Sequence, residues 1–296
     1  MIFSVTHTTK YEYNAPVGYC HNIATLRPRE SKGQELLSYK INIIPKPAEI
    51  SERVDFFGNY ITRFSIQTPH TILKVVTKSK VLRDYSKYQD SFFSDACKGI
   101  LLNDALVALN SNDPEILDAK QYVLESIFIR RTDKSIRDYA ELSFNGNRSV
   151  FDAAFELMQR IYTDFKFDSE FTTISTPIQE VMKEKKGVCQ DFAQIAIACI
   201  RSIGLPARYV SGYIETLPPE GKVKLVGADA SHAWFSIFIP GFGWVDFDPT
   251  NNLIPLDQHI VVGWGRDYYD VPPLKGVVFG SGKSKLSVAV DIASVV

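Results

Sequence analysis

Gly187-Val188-Cys189-Gln190-Asp191-Phe192-Ala193-Gln194-Ile195-Ala196-Ile197-Ala198-Cys199-Ile200-Arg201-Ser202-Ile203-Gly204-Leu205-Pro206 reads as one helix with marked ends. Gly187 delivers the chain into the first turn, and Gly204 with Pro206 stops it. Phe192, Ile195, Ala196, Cys199, Ile200 and Ile203 recur at helical spacing and build one apolar face. Position gives Cys189 its chemistry. Unpaired backbone N–H groups and the positive end of the helix dipole favour a thiolate there, and the thiolate is the attacking form of cysteine. The same N–H groups are placed to stabilise an oxyanion formed by attack on a carbonyl. The plainer reading is a small apolar residue sharing a stripe with Phe192, Ala196 and Cys199. Cys199, mid-helix among alanines and isoleucines, is the inert case. Asp191 reads as an acid that compensates the dipole, a structural role.

A nucleophilic thiol needs a base that takes its proton and returns it to the leaving amine, which selects histidine near neutral pH. Of five histidines, His7, His21, His70 and His259 lie in weakly patterned sequence. His232 instead opens the alternating run Ser231-His232-Ala233-Trp234-Phe235-Ser236-Ile237-Phe238, in which His232, Trp234, Ser236 and Phe238 share one face. Its plainer reading is a core or edge histidine with a hydrogen-bonded ring. Pro240-Gly241-Phe242-Gly243 offers a tight return into Trp244-Val245-Asp246-Phe247-Asp248-Pro249-Thr250, and so predicts a β-hairpin. If Phe238 faces Phe242 across a three-residue turn, His232 faces Asp248, and a carboxylate there would fix the imidazole tautomer. Asp246 shares this parity and Asp229 precedes His232 by three, but Asp248 stands where Pro249 makes the strand leave its ladder, near the end that holds His232. Its plainer reading is a turn aspartate.

Outward from these segments, Ala207 to Ile214 and Leu286 to Val296 also read as strands. Residues 1–82 read as short strands separated by turn residues, Pro45, Pro47, Gly58-Asn59 and Pro69, which favours a small β-sandwich. Residues 83–145 form a helical connector, with Asp113-Pro114-Glu115 as an N-cap, a first-turn proline and a dipole-favoured acid. The third unit, 146–296, is the core with its C-terminal strand. It begins near Ser149, where Val150, Ala154, Leu157, Met158 and Ile161 recur at helical spacing. A helix packed on an antiparallel sheet makes the class α+β.

Composition narrows the function. Hydrophobic residues make up 45% and charged residues 23% of 296, as in a soluble globular protein. The 33 basic and 34 acidic residues leave a net charge of −1, so no summed field holds the chain on nucleic acid or an anionic membrane. Lys185-Lys186 and Arg130-Arg131 read as solvated face. The N-terminus reads as a first strand and not as a leader, and every apolar stretch is too interrupted to span a bilayer. The cytoplasm is the expected compartment. Four cysteines without C-x-x-C spacing argue against a disulfide scaffold or zinc knuckle, and no cofactor or metal is expected.

Four blocks carry a resemblance: Gly187 to Ala193, Gly204 to Tyr213, Asp229 to Trp234 and Gly243 to Asn251. In this order they resemble the bacterial transglutaminase-like superfamily, which pairs a papain-like core with cysteine, histidine and aspartate from separate blocks. The resemblance puts the nucleophile on Cys189, the histidine on His232 and the acid on Asp248. Tyr11 to Val17, Leu26 to Arg29 and Asp55 to Asn59 resemble the subgroup with an N-terminal β domain. In related enzymes an aromatic residue before the nucleophile assists the oxyanion, whereas Phe165 and Phe167 here carry no side-chain donor. The implied function is a cysteine-dependent amidohydrolase, a peptidase acting on a peptide or protein through a thioester. A crosslinking transglutaminase, in which an amine takes the acyl group, is the alternative. A catalytically idle peptide-binding module, and a metal site built from Cys189, His232 and Asp248, are readings from other classes. Trp234, Trp244 and Tyr213 are candidates to line the substrate cleft, although aromatic residues in strands are more often core.

Overall fold

The computed structural model describes residues 1–86, 88–92, 94–130, 134–173, 176–215, 230–280 and 282–295. Six strands come first: β1 (Ile2–Val17), β2 (Tyr19–Ala24), β3 (Gln34–Ile44), β4 (Glu49–Val54), β5 (Tyr60–Ile66) and β6 (His70–Arg83). The helical stretch holds α1 (Gln89–Phe92), α2 (Asp95–Lys98), α3 (Leu102–Ala108), α4 (Pro114–Lys120), a 3₁₀ turn at Gln121–Val123 and α5 (Lys134–Glu141). Then come α6 (Val150–Asp164), β7 (Lys166–Phe167), α7 (Ile178–Glu184), β8 (Lys186–Gly187) and α8 (Cys189–Ser202). The last six strands are β9 (Ala207–Ile214), β10 (Ala230–Ile239), β11 (Gly243–Phe247), β12 (His259–Gly265), β13 (Leu274–Phe279) and β14 (Ser284–Val295). The fold is α+β, as the pattern predicts.

Local chemistry sets the helix starts. Asp113 caps α4 by accepting from the Glu115 amide at 2.9 Å, with Pro114 at the first position, and Ser149 caps α6 by accepting from the Asp152 amide at 3.3 Å. For α8 the expectation of one apolar face is too narrow. Ala193, Gln194, Ile197, Ala198 and Arg201 are buried as well, because α5, α6 and α7 pack on one side while β9 and β10 lie on the other. A helix covered on all sides needs no solvent face. Its alanines let neighbours approach, and each large apolar side chain it buries contributes roughly 1.5–3 kcal/mol.

The core sheet runs β11-β10-β9-β12, and two further four-stranded sheets, β14-β1-β6-β3 and β13-β2-β5-β4, enclose a second core around Cys20, Phe64, Ile66 and Val75. Two expectations need correction. β1 and β6 span 16 and 14 residues and are not short; buried and more exposed residues alternate from Phe3 to Thr9 of β1, and the strand carries on through Asn14 and Pro16 across an irregularity in its pairing with β6. The C-terminal strand does not extend the core. β14 pairs antiparallel with β1 along its length and β13 with β2, so the end of the chain returns to the N-terminal β unit.

That unit grips the core through side-chain amides. β12 is an edge strand, and Gln34 serves its backbone at Val261, donating to the carbonyl at 2.7 Å and accepting from the amide at 2.8 Å. Asn59 does the same at Trp264, accepting at 3.0 Å and donating at 2.8 Å, and its Oδ1 also accepts from Arg29 at 2.7 Å. A side chain at Gly263 would meet Asn59 Oδ1 at 2.8 Å, so only glycine admits this contact. These amides satisfy edge groups that would otherwise template another strand.

Candidate active site

Cys189 begins α8 and is partly exposed at its N-terminus. Asp191 reaches back one turn, where its Oδ2 accepts from the Val188 amide and the Thr172 hydroxyl, both at 2.8 Å. It fixes the entry to the helix, in line with a structural role. Cys199 is fully buried, and burial pushes its thiol up to about 12.

The predicted hairpin is present in a different register. Phe238 faces Trp244 and Ile239 faces Gly243, so the three-residue loop is Pro240-Gly241-Phe242 and the ladder is shifted by two residues from the expectation. A shift of two preserves the face. His232 and Asp248 are therefore diagonal neighbours, not an opposed pair, and their side chains still meet, with His232 Nε2 2.8 Å from Asp248 Oδ2. Asp246 is used otherwise, accepting from the Trp234 indole at 3.1 Å. Asp229 lies outside the described residues.

Asp248 is 0% exposed. Its Oδ1 accepts from the backbone amides of Thr250 at 2.9 Å and Asn251 at 3.2 Å. Besides His232, its Oδ2 receives the Asn251 side-chain amide at 2.7 Å and His259 Nε2 at 2.9 Å. Burial alone would raise this carboxyl, but the hydrogen bonds and charges of the two histidines hold it well below the usual carboxylate range. For His232, burial pulls the pKa down, and it is outweighed by hydrogen bonds to Asp248 and Cys189 and by their charges, so the ring is raised to about 10. His259 is lowered by its own burial, against the pull of Asp248. The arrangement thus favours the carboxylate of Asp248 and the imidazolium of His232, which faces both Cys189 and Asp248, while burial works against the charged form of His259.

Sequence reasoning missed His259 and Asn251. Asn251 had a signal, an Asx turn following Asp248-Pro249. His259 opens the buried strand β12, as His232 lies near the start of β10, but the contact depends on how β12 sits beside β9. Donor atoms of His232, Asp248 and His259 lie close enough to hold a metal ion. Their arrangement is that of N–H donors converging on one oxygen, and His259 Nδ1 is buried without the partner that a metal-ligating imidazole ordinarily has.

A cavity of about 240 Å³ opens on Cys189 and His232, with Gln190, Tyr209 and Tyr268 in its wall and His7, Thr9 and Tyr11 of β1 closing it. The N-terminal unit is thus part of the cleft. The Tyr209 and Tyr268 hydroxyls are neutral donors, since burial raises both phenols. Phe165 and Phe167 are not in this wall. Nor are the three expected cleft aromatics. Trp234 is fully buried over Gly212, where an added Cβ would meet its ring at 2.5 Å. Tyr213 is buried with its hydroxyl 3.1 Å from His7 Nδ1, and Trp244 lines a separate cavity.

Residues 3–82 match the model of the bacterial transglutaminase-like N-terminal region, and residues 137–249 match that of the transglutaminase-like superfamily. An uncharacterised protein of Mycobacterium tuberculosis is 38% identical over 306 residues, covering 98% of this chain and 92% of that protein. The chain belongs to the transglutaminase-like superfamily. A Mycobacterium leprae relative, also uncharacterised, is 31% identical, with 97% of each chain covered. The same transglutaminase-like fold occurs in a crystal structure from Cytophaga hutchinsonii of a protein provisionally described as a cysteine protease. Its TM-score is 0.75 at 20% identity, with 99% of this chain and 90% of that chain covered.

Proposed function

We propose that this transglutaminase-like protein cleaves amide bonds through a thioester on Cys189, with His232 as base and acid and Asp248 as the group that orients His232. The observation that carries the reading is the sharing of one buried imidazole between Cys189 and Asp248 at the wall of a cavity. The Cys189 thiolate attacks the carbonyl carbon of a peptide or isopeptide bond. The Cys189 backbone N–H and the Tyr209 hydroxyl stabilise the oxyanion. The His232 imidazolium gives its proton to the departing nitrogen as the C–N bond breaks and the thioester forms. Water, losing a proton to His232, then attacks the thioester and releases the acid and the thiol.

Hydrolysis is preferred to amine transfer because water is always present, whereas an amine requires an organised acceptor site. The compartment proposed is the cytoplasm, in keeping with four cysteines that are all unpaired.

The test is brief iodoacetamide labelling read by intact mass, comparing wild type with Cys189→Ala and His232→Ala, followed by a peptide substrate screen with and without a primary amine. Fast labelling at Cys189 that His232→Ala slows, with peptide cleavage, is the expected result. Amine-labelled product in place of cleavage would shift the reading to transglutamination. Labelling no faster than a model thiol would overturn both. Loss of activity with a zinc chelator would move the chemistry to a metal held by His232, Asp248 and His259.

A further inference from the structure

A second cavity, of about 550 Å³, lies where the N-terminal unit, the helical stretch and the core sheet meet. It shares no lining residue with the Cys189 cavity. Its size is that of a small-molecule site. The Arg208 side chain, from β9, lines it while only 8% exposed. The guanidinium carbon stands 3.8 Å from the Trp264 ring centre and 4.2 Å from that of Trp244. Indoles therefore cover its faces and leave its N–H edge. Nε is buried with no hydrogen-bond partner, and the Arg208 side chain makes no hydrogen bond or ion pair among the described residues.

A buried guanidinium without an acceptor is costly, and structures usually supply one. Arg29, whose guanidinium carbon is 3.2 Å from the centre of the same Trp264 ring, also has a buried Nε without a partner. Two cations thus crowd one indole. Arg29 Nη1 has acceptors in the Phe57 carbonyl and Asn59 Oδ1, whereas Arg208 faces the charge of Asp246 without a hydrogen bond to it among the described residues, which leaves its N–H edge open to an acceptor from a ligand. Charge in the remaining wall narrows its chemistry. Lys32 adds a third cation, while Glu115, Asp118 and Asp246 bring three acids. A multiply charged anion would be repelled by those acids. A single planar carboxylate matches the guanidinium fork, and a ligand ammonium suits the exposed acids Glu115 and Asp118.

We propose that this cavity binds a zwitterion of amino-acid or dipeptide size, its carboxylate on Arg208 and its ammonium beside Glu115 and Asp118. Trp244 and Tyr122 form an aromatic wall for an apolar side chain. The site is independent of the thiol chemistry, and its test is made on protein that lacks the thiol.

The chain holds three tryptophans, two of them against Arg208, so intrinsic fluorescence reports occupancy. The full-length Cys189→Ala protein is titrated with glycyl-phenylalanine, its C-terminal amide, its N-acetyl form and inorganic phosphate. A saturable change is expected with the free dipeptide. The amide should bind roughly tenfold to a hundredfold more weakly, since it forfeits the charged hydrogen bonds. Arg208→Lys should weaken the dipeptide to a similar degree. The surface pair Glu115→Gln with Asp118→Asn, far from the packed core, should weaken the free dipeptide and leave the N-acetyl form unchanged. Equal binding of acid and amide, binding of phosphate alone, or no saturable change with any dipeptide would overturn the proposal.

Discussion

Replacing Asp248 by asparagine changes one atom and confronts five donors. Oδ1 accepts two backbone amides, and Oδ2 accepts from His232, His259 and the Asn251 amide. An asparagine must turn its NH₂ toward one set or the other. Facing the backbone amides, it meets two donors that cannot change. Facing the imidazoles, it leaves the Asn251 amide opposed and forces both rings to become acceptors at Nε2. His232 would then be neutral with its proton on Nδ1, directed away from Asp248, and unable to take the Cys189 proton there.

The conflict should cost about 3 kcal/mol, or roughly 5 °C in melting temperature for a chain of this size. Loss of the carboxylate should lower the His232 pKa by roughly 1–3 pH units from its present value near 10. The sign follows from linkage. A histidine whose folded pKa is raised contributes stability that is full below its unfolded value of 6.5 and is lost as pH rises through about 10. Wild-type melting temperature should therefore fall on that alkaline limb, and Asp248→Asn should flatten it. Turnover should drop about 10⁴-fold, as expected for a base held in the wrong tautomer. Thermal melting across pH and the Cys189 alkylation rate read both effects. A variant with the melting temperature, alkaline limb and alkylation profile of wild type would refute the reasoning.

His7 supplies the acid limb. Its ring is bonded to Thr9 and Tyr213, and burial lowers it from 6.5 to about 4. The unfolded chain therefore takes the proton first, and about 3 kcal/mol of stability should be lost as pH falls through that window. His7→Gln should reduce this loss in urea unfolding at both ends of it, and an unchanged slope would exclude His7 as the cause. Tyr209→Phe removes one hydroxyl from the wall of the thiol cavity. It should lower kcat about 10²-fold to 10³-fold with KM little changed, and an unaltered kcat would remove Tyr209 from the oxyanion site.

How much of this was legible depended on the range of the signal. α8, with Cys189 at its head, was readable because glycine punctuation and helical spacing are local. That His232 and Asp248 share a face was readable because strand parity survives a two-residue error in the turn. The register itself was not, since a three-residue loop fits either Ile239-Pro240-Gly241 or Pro240-Gly241-Phe242. His259 was invisible for a different reason. Its meeting with Asp248 needs β12 docked beside β9, with its Val261 to Gly263 irregularity. Arg208, in the Gly204 to Tyr213 block, was read only as part of a pattern. Its isolation between indoles arises from three separate segments, and no spacing in one segment encodes it.

The return of β13 and β14 to the N-terminal unit has a consequence for biosynthesis. β1 and β2 leave the ribosome early and pair with β6 and β5, yet their partners on the other edge, β14 and β13, are made long afterwards. At 5–20 residues per second, the interval between residues 24 and 274 is roughly 12–50 s. Throughout it the nascent chain carries two open sheet edges that are liable to pair wrongly, so the need for chaperone protection should be greatest before β13 and β14 emerge. Because Leu286 and Val288 of β14 line the thiol cavity beside His7, Thr9 and Tyr11 of β1, the complete cleft can form only after β14 has been made.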